Sequence, residues 1–212
     1  MPVIDFIEDN FTKIVVWQVS ESKEDLLKHV KLTPERMKKI QDMPLKQTME
    51  YLGLRACLLE LSYDVDVFYN EKGKPYLETN HQLSITHSYG LVAVAISHFD
   101  IGIDIEKRRE AKIINIANKF IRKDEGSWIP QDKNHSEYLH IIWGIKEGLY
   151  KLNGGNLWNF LHHYRVEPFE LIPDTRITCW ISDEVSSRKY FGYYKMIHDY
   201  YLVWVLDYED GR

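Results

Sequence analysis

Valine, isoleucine and tryptophan crowd the centre of residues 13–20 (KIVVWQVS), and such a density of β-branched and aromatic side chains predicts an opening strand. Polar residues dominate the next stretch. Within it Ser22 is placed to cap one short helix, and Thr33-Pro34-Glu35 to start a second with proline in its first turn. Over residues 46–61 (KQTMEYLGLRACLLEL), Met49, Leu52, Ala56 and Leu59 form a face of helical period, which predicts a long helix. Its interior Gly53 costs about 1 kcal/mol relative to alanine unless something packs against it.

Beyond that helix the pattern shortens. Residues 65–77 (VDVFYNEKGKPYL) predict two short strands around a turn at Asn70 and Gly73. Strands are predicted at 83–86 and 91–98, either side of a turn at Ser88-Tyr89-Gly90, and at 101–106 after a turn at Asp100. Ile113, Ile116, Ala117 and Phe120 then mark one helical face. Residues 122–137 lack a period and contain Gly126 and Pro130, so they predict a loop. A second long helix is predicted at 138–152, stopped by Asn153-Gly154-Gly155, followed by strands at 176–181, 190–196 and 201–206. Helix-then-strands thus occurs twice. The expectation is an α+β protein of two similar lobes, 1–100 and 101–212, each a long helix packed on a small antiparallel sheet.

Composition narrows the function. A chain of 212 residues can build a sizeable core without covalent staples. Cys57 and Cys179 sit among apolar neighbours, without the spacing of a zinc knuckle or redox pair, and are expected as buried free thiols of a reducing compartment. The stretch MPVIDFIEDN has acids where a secretory signal carries positive charge, and no run approaches the roughly 20 apolar residues of a membrane span. A cytoplasmic location follows as the expectation. The net charge of -5 argues against a nucleic-acid partner.

Three clusters could carry chemistry. In IGIDIE, period two puts Ile101, Ile103 and Ile105 on one face and Asp104 with Glu106 on the other. Paired carboxylates repel unless a cation lies between them, and their hard oxygens suit magnesium; a solvated strand face reads the same way. In WGIKEGLYKL, Glu147 and Lys151 share a helix face, as a surface ion pair or as a third metal carboxylate with a phosphate-binding lysine beside it. In SITHSYG, His87 and Ser88 stand where a strand ends, able to cap a turn or to donate to a phosphate oxygen.

Taken in order, GKPYL (73–77), LSITHS (83–88), IGIDIEK (101–107) and WGIKEGLYK (143–151) resemble the broad-specificity, two-lobed 4'-phosphopantetheinyl transferases. The resemblance covers residues 46–151. It implies a transferase, of the holo-acyl-carrier-protein synthase type, that moves 4'-phosphopantetheine from coenzyme A to a serine of an acyl, peptidyl or related carrier protein with magnesium. It also implies Asp104, Glu106 and Glu147 as metal ligands at a site between the lobes, His87 on a phosphate oxygen with Thr86 and Ser88 beside it, and Lys74 near the coenzyme. Lys151 would stabilise charge at the reacting phosphate, with Glu147 or Lys151 as the base. Lys46 would meet the 3'-phosphate of coenzyme A, Arg36 and Lys39 being further candidates, while Arg55 would buttress the site or touch a second phosphate. Glu125 after Phe120 resembles a further acidic position of supporting role. Position 148 departs from the pattern, with glycine where alanine or serine is common; such a glycine can admit a close-packed neighbour. The basic stretch 110–123 could receive an acidic carrier helix, and two lobes in one chain imply a monomer. The alternatives are a non-catalytic relative that binds coenzyme A or a carrier, and an unrelated magnesium-dependent nucleotidyl enzyme.

Overall fold

Side chains alternate tightly enough along the strands to fix two antiparallel sheets. The computed structural model describes residues 3–173 and 175–207. Strands β1 (Val3–Glu8), β2 (Thr12–Gln18), β5 (Gln82–Ser88) and β6 (Leu91–Ser97) form the first sheet in the order β1-β2-β6-β5. Helices α1 (Lys23–Val30) and α2 (Pro34–Ile40) begin on their expected caps, the Ser22 and Thr33 hydroxyls accepting from the amides of Asp25 and Arg36. The long α3 (Leu45–Glu60) lies on this sheet and buries Leu52, Ala56 and Leu58 against Val15, Trp17 and Val94. A Cβ at Gly53 would come within 2.8 Å of Val19, so the helical glycine marks a real close approach.

Between α3 and the sheet edge, β3 (Phe68–Tyr69) and β4 (Pro75–Tyr76) make the expected small hairpin. Strands β5 and β6 are joined through Tyr89 and Gly90, both at positive φ, the geometry of a two-residue hairpin turn matched to strand twist.

The second sheet has the order β7-β11-β10-β9-β8, from β7 (Ile101–Lys107), β8 (Tyr164–Val166), β9 (Ile177–Ser182), β10 (Ser187–Ile197) and β11 (Tyr200–Leu206). Helix α6 (His135–Leu152) packs on β7 and β11 and buries Leu139, Ile142, Ile145 and Leu149. The two lobes are therefore similar, each a long helix on a small antiparallel sheet. At their seam β5 meets β7 without a backbone ladder: the Ser84 and Thr86 hydroxyls accept from the amides of Ile103 and Ile105 at 3.0 and 3.2 Å.

Three features depart from the expectation. The mixed-polarity stretch VIDFIE is an edge strand, paired only with β2. The expected loop 122–137 contains a helical turn, α5 (Lys123–Gly126), held in place through buried Glu125. Residues 160–166 form a short helix α7 (Phe160–His163) and β8, neither long enough to display a period. The remaining helix, α4 (Glu110–Ile116), continues into a 3-10 turn at Ala117–Lys119 and buries Ile113 and Phe120 as the pattern predicts.

Candidate active site

Strand β7 carries its acids out of the sheet as period two requires: Ile101, Ile103 and Ile105 are buried in apolar surroundings, and Asp104 and Glu106 occupy the other face. Helix α6 approaches that face at backbone contact. A Cβ at Gly102 would stand 1.9 Å from the Gly148 carbonyl oxygen, so the paired glycines let Glu147 and Lys151 reach the strand. Lys151 Nζ donates to Asp104 Oδ1 and to the Ile103 carbonyl, both at 2.8 Å. The Thr86 hydroxyl donates to the same Asp104 oxygen at 3.2 Å.

Glu106 is held differently. Lys112 Nζ lies 3.0 Å from its Oε1, with an Arg109 Nη2 at 3.7 Å, and the Ser88 hydroxyl donates to Oε2 at 3.4 Å. Glu147 completes the acidic group. Burial, reinforced by the charge of Asp104 and further by that of Glu106, pushes its carboxyl up to about 7 against the opposing pull of Lys151. Among the described residues no three His, Cys, Asp or Glu side chains are gathered tightly enough to hold a metal ion. Each of the β7 acids already has a cationic partner. The donor chemistry nevertheless fits a hard divalent cation: all three groups are carboxylates, and the third is held against the charge of the other two.

Two clefts meet at His87. The larger, about 580 Å³, is lined by Lys46, Met49, Glu50, His87, Ser88, Tyr89, Glu106, Arg109 and Lys112. His87 Nδ1 lies 3.4 Å from Glu50, which also faces Lys46 at 3.8 Å. The smaller, about 300 Å³, is lined by Lys72, Lys74, Ser84, His87, Tyr150 and Lys151. There Lys74 Nζ donates to the Leu152 carbonyl at the end of α6, 2.8 Å away. Lys46, Lys74, His87, Ser88 and Lys151 therefore line two adjoining clefts between the long helices.

Other expected residues lie elsewhere. Arg36 points to Asp64 and Asp66, at 2.6 and 2.9 Å, and lines a separate hollow. Lys39 lines neither cleft. Arg55 is nearly buried and donates to Asp64 and to the Val65 carbonyl at 2.6 Å, fastening the end of α3 to the chain that follows. Glu125 is 1% exposed and accepts from Lys146 Nζ, 2.7 Å away, and from the Val166 amide; its support is to the fold beneath α6. Sequence reasoning missed Glu50, Lys72 and Arg109. Glu50 follows Lys46 by one helical turn, a spacing that could have flagged it.

This fold, with its acid-bearing strand against a Glu–Lys helix face, defines a two-lobed phosphopantetheinyl-transferase-like protein. Residues 100–205 match the 4'-phosphopantetheinyl transferase superfamily, and the chain belongs to it. It is 34% identical over 91 residues to the 4'-phosphopantetheinyl transferase gsp of Aneurinibacillus migulanus, covering 42% of this chain and 38% of that one. To the 4'-phosphopantetheinyl transferase Sfp of Bacillus subtilis (strain 168) it is 30% identical over 128 residues, covering 56% and 57%. The matches thus span less than two thirds of either relative. Among the described residues, no helix is long and apolar enough to cross a membrane.

Proposed function

We propose that this chain transfers 4'-phosphopantetheine from coenzyme A to a serine of an apo carrier protein, releasing adenosine 3',5'-bisphosphate. The observation that carries the reading is the junction of Asp104, Glu106, Glu147 and Lys151 beneath two basic-rimmed clefts. Asp104, Glu106 and Glu147 would hold a magnesium ion, whose charge when bound neutralises the diphosphate and polarises the phosphorus under attack.

The chain's own groups do the rest. Lys74, His87 and Lys151 surround the clefts as donors for the coenzyme's phosphates, with Thr86 and Ser88 fixing the two β7 carboxylates from behind. Lys46 is exposed at the rim for the 3'-phosphate. The carrier serine oxygen bonds to the pantetheine-bearing phosphorus as the bond from that phosphorus to the adenosine bisphosphate oxygen breaks. Glu147, directly or through a bound water, takes the serine proton, and Lys151 meets the charge growing on the phosphate. The scheme does not use Arg36, which is held by Asp64 and Asp66, or Lys39, which lines neither cleft. The basic stretch 110–123 receives the carrier, and a single chain suffices for the reaction.

Mass spectrometry tests the reading directly. Apo acyl and peptidyl carriers incubated with the chain, magnesium and coenzyme A gain one phosphopantetheine, and Asp104→Ala abolishes the gain while keeping the wild-type circular dichroism. No gain on either carrier class, or near-full activity in Asp104→Ala, overturns it.

A further inference from the structure

His140 sits on α6 seven residues before Glu147, about two turns away on a similar face, and is 2% exposed. Both ring nitrogens are committed. Nδ1 lies 2.6 Å from the Ser136 carbonyl oxygen, which can only accept, so Nδ1 carries the proton. Nε2 is left as an acceptor and takes the Arg109 amide at 3.1 Å. Burial lowers the imidazole's affinity for a second proton, in keeping with this neutral tautomer.

Arg109 is where β7 has ended and α4 is about to begin, and no side chain caps that helix. The amide of the preceding Arg108 is fixed by the Asp199 carbonyl at 2.7 Å, leaving the Arg109 amide to His140. The ring also stacks on Tyr201 at 5.1 Å and 25°, and Tyr201 is the cross-strand partner of Glu106. One buried imidazole therefore joins the helix bearing Glu147, the strand beside Glu106, and the turn that launches Arg109 and Lys112. Arg109 and Lys112 are the cations that hold Glu106.

We infer that His140 is a positioning residue for the proposed transfer: its Nε2 sets the turn at Arg109 and thereby fixes Glu106 and the Arg109–Lys112 rim relative to Glu147. The inference rests on the reading given under Proposed function. Two variants separate hydrogen bonding from packing. His140→Phe keeps a ring against Tyr201 and removes the acceptor, whereas His140→Gln keeps an amide able to donate and accept.

The expected result is a folded Phe variant whose amides at 109–113 exchange roughly tenfold faster, with β11 amides unchanged. Its kcat/KM for the carrier falls by roughly ten- to a hundredfold, the scale of a small misplacement near the chemistry, while the KM for coenzyme A moves less than about twofold. The Gln variant recovers most of the loss. Wild-type exchange and kcat/KM in the Phe variant overturn the inference, as does a Gln variant damaged equally. Imidazole 15N shifts of the wild type give a check that needs no variant: an unprotonated Nε2 at neutral pH is expected, and a protonated one overturns it. A wild type without transfer activity sinks both readings; an active wild type with an unaffected Phe variant sinks this one alone.

Discussion

An ammonium with no exposed surface needs close acceptors, and Lys146 has two. Its Nζ donates to the Phe120 carbonyl at 2.6 Å and to Glu125 Oε2 at 2.7 Å, while the remaining lone pairs of Glu125 take the Arg122 and Val166 amides. Desolvation pushes Lys146 down to about 8, and the nearby Glu125 keeps it charged at neutral pH. Removing one partner strands the other charge, so Lys146→Met should cost about 3–5 kcal/mol in urea unfolding. Adding Glu125→Gln should return more than half of that; a double variant as unstable as the single would show that the pair is not the source. Glu147 gives a second residue-scale prediction. Its folded-state value of about 7 lies above its ordinary 4.5, so the stability it contributes is complete below about pH 4.5 and is lost as the pH rises through 7. In chelator-treated protein that loss should reach about 3 kcal/mol, and Glu147→Gln should flatten it. An unchanged pH profile in the Gln variant would refute the assignment. At this scale the sequence disclosed the acids and their faces, because period two and the i,i+4 helix spacing are local geometry. It could not disclose that Arg36 is spent on Asp64 and Asp66, nor that Glu125 lies under Lys146, since both pairings are made by chain folding back from 21 to 30 residues away.

Elements meet here through glycine. Gly102 of β7 and Gly148 of α6 are in backbone contact, and the same contact delivers Glu147 and Lys151 to Asp104. Gly102→Ala would drive a methyl into the Gly148 carbonyl, an obstacle that neither strand nor helix can rotate away. We expect a loss of at least about 1–3 kcal/mol from overpacking, together with a fall in activity disproportionate to the loss of fold. Full transfer activity in a folded Gly102→Ala protein would show that the strand and helix need not be this close. The unusual glycine at 148 was visible in the sequence and its use is now apparent: a Cβ there would also press to 2.9 Å on Val205. Long elements were legible because their periodicity is set by burial on one side, as in α3 and α6. Short ones were legible only where cap or turn residues marked them, as at α1, α2 and the β3–β4 hairpin; β1 mixes acids into an edge strand, and α5, α7 and β8 each have four residues or fewer, too few to display any period.

Across the whole molecule, the two lobes share a core as well as a cleft. Ile14, Val16, Ala93 and Ala95 of the first sheet pack with Ile101, Ile103, Ile105, Leu202 and Trp204 of the second, forming an apolar cluster distinct from the two beneath the long helices. Ser84 and Thr86 stitch the β5–β7 seam, and Lys195 of β10 reaches Asp5 of β1 at 2.8 Å. Neither sheet can expose its half of that cluster without losing most of the burial that holds it, so the lobes should unfold together. Fluorinated tryptophan makes this measurable, because Trp17 alone reports on the first sheet while Trp204 reports on the second. In urea, both native 19F signals should vanish at one midpoint. Ile103→Ala, cut from the shared cluster where no surface is exposed, should lower stability by about 2–5 kcal/mol and move both signals by the same amount. Two separated midpoints, or a shift confined to Trp204, would mean that the lobes are independent units and that the cleft between them is held by its ligands rather than by the core.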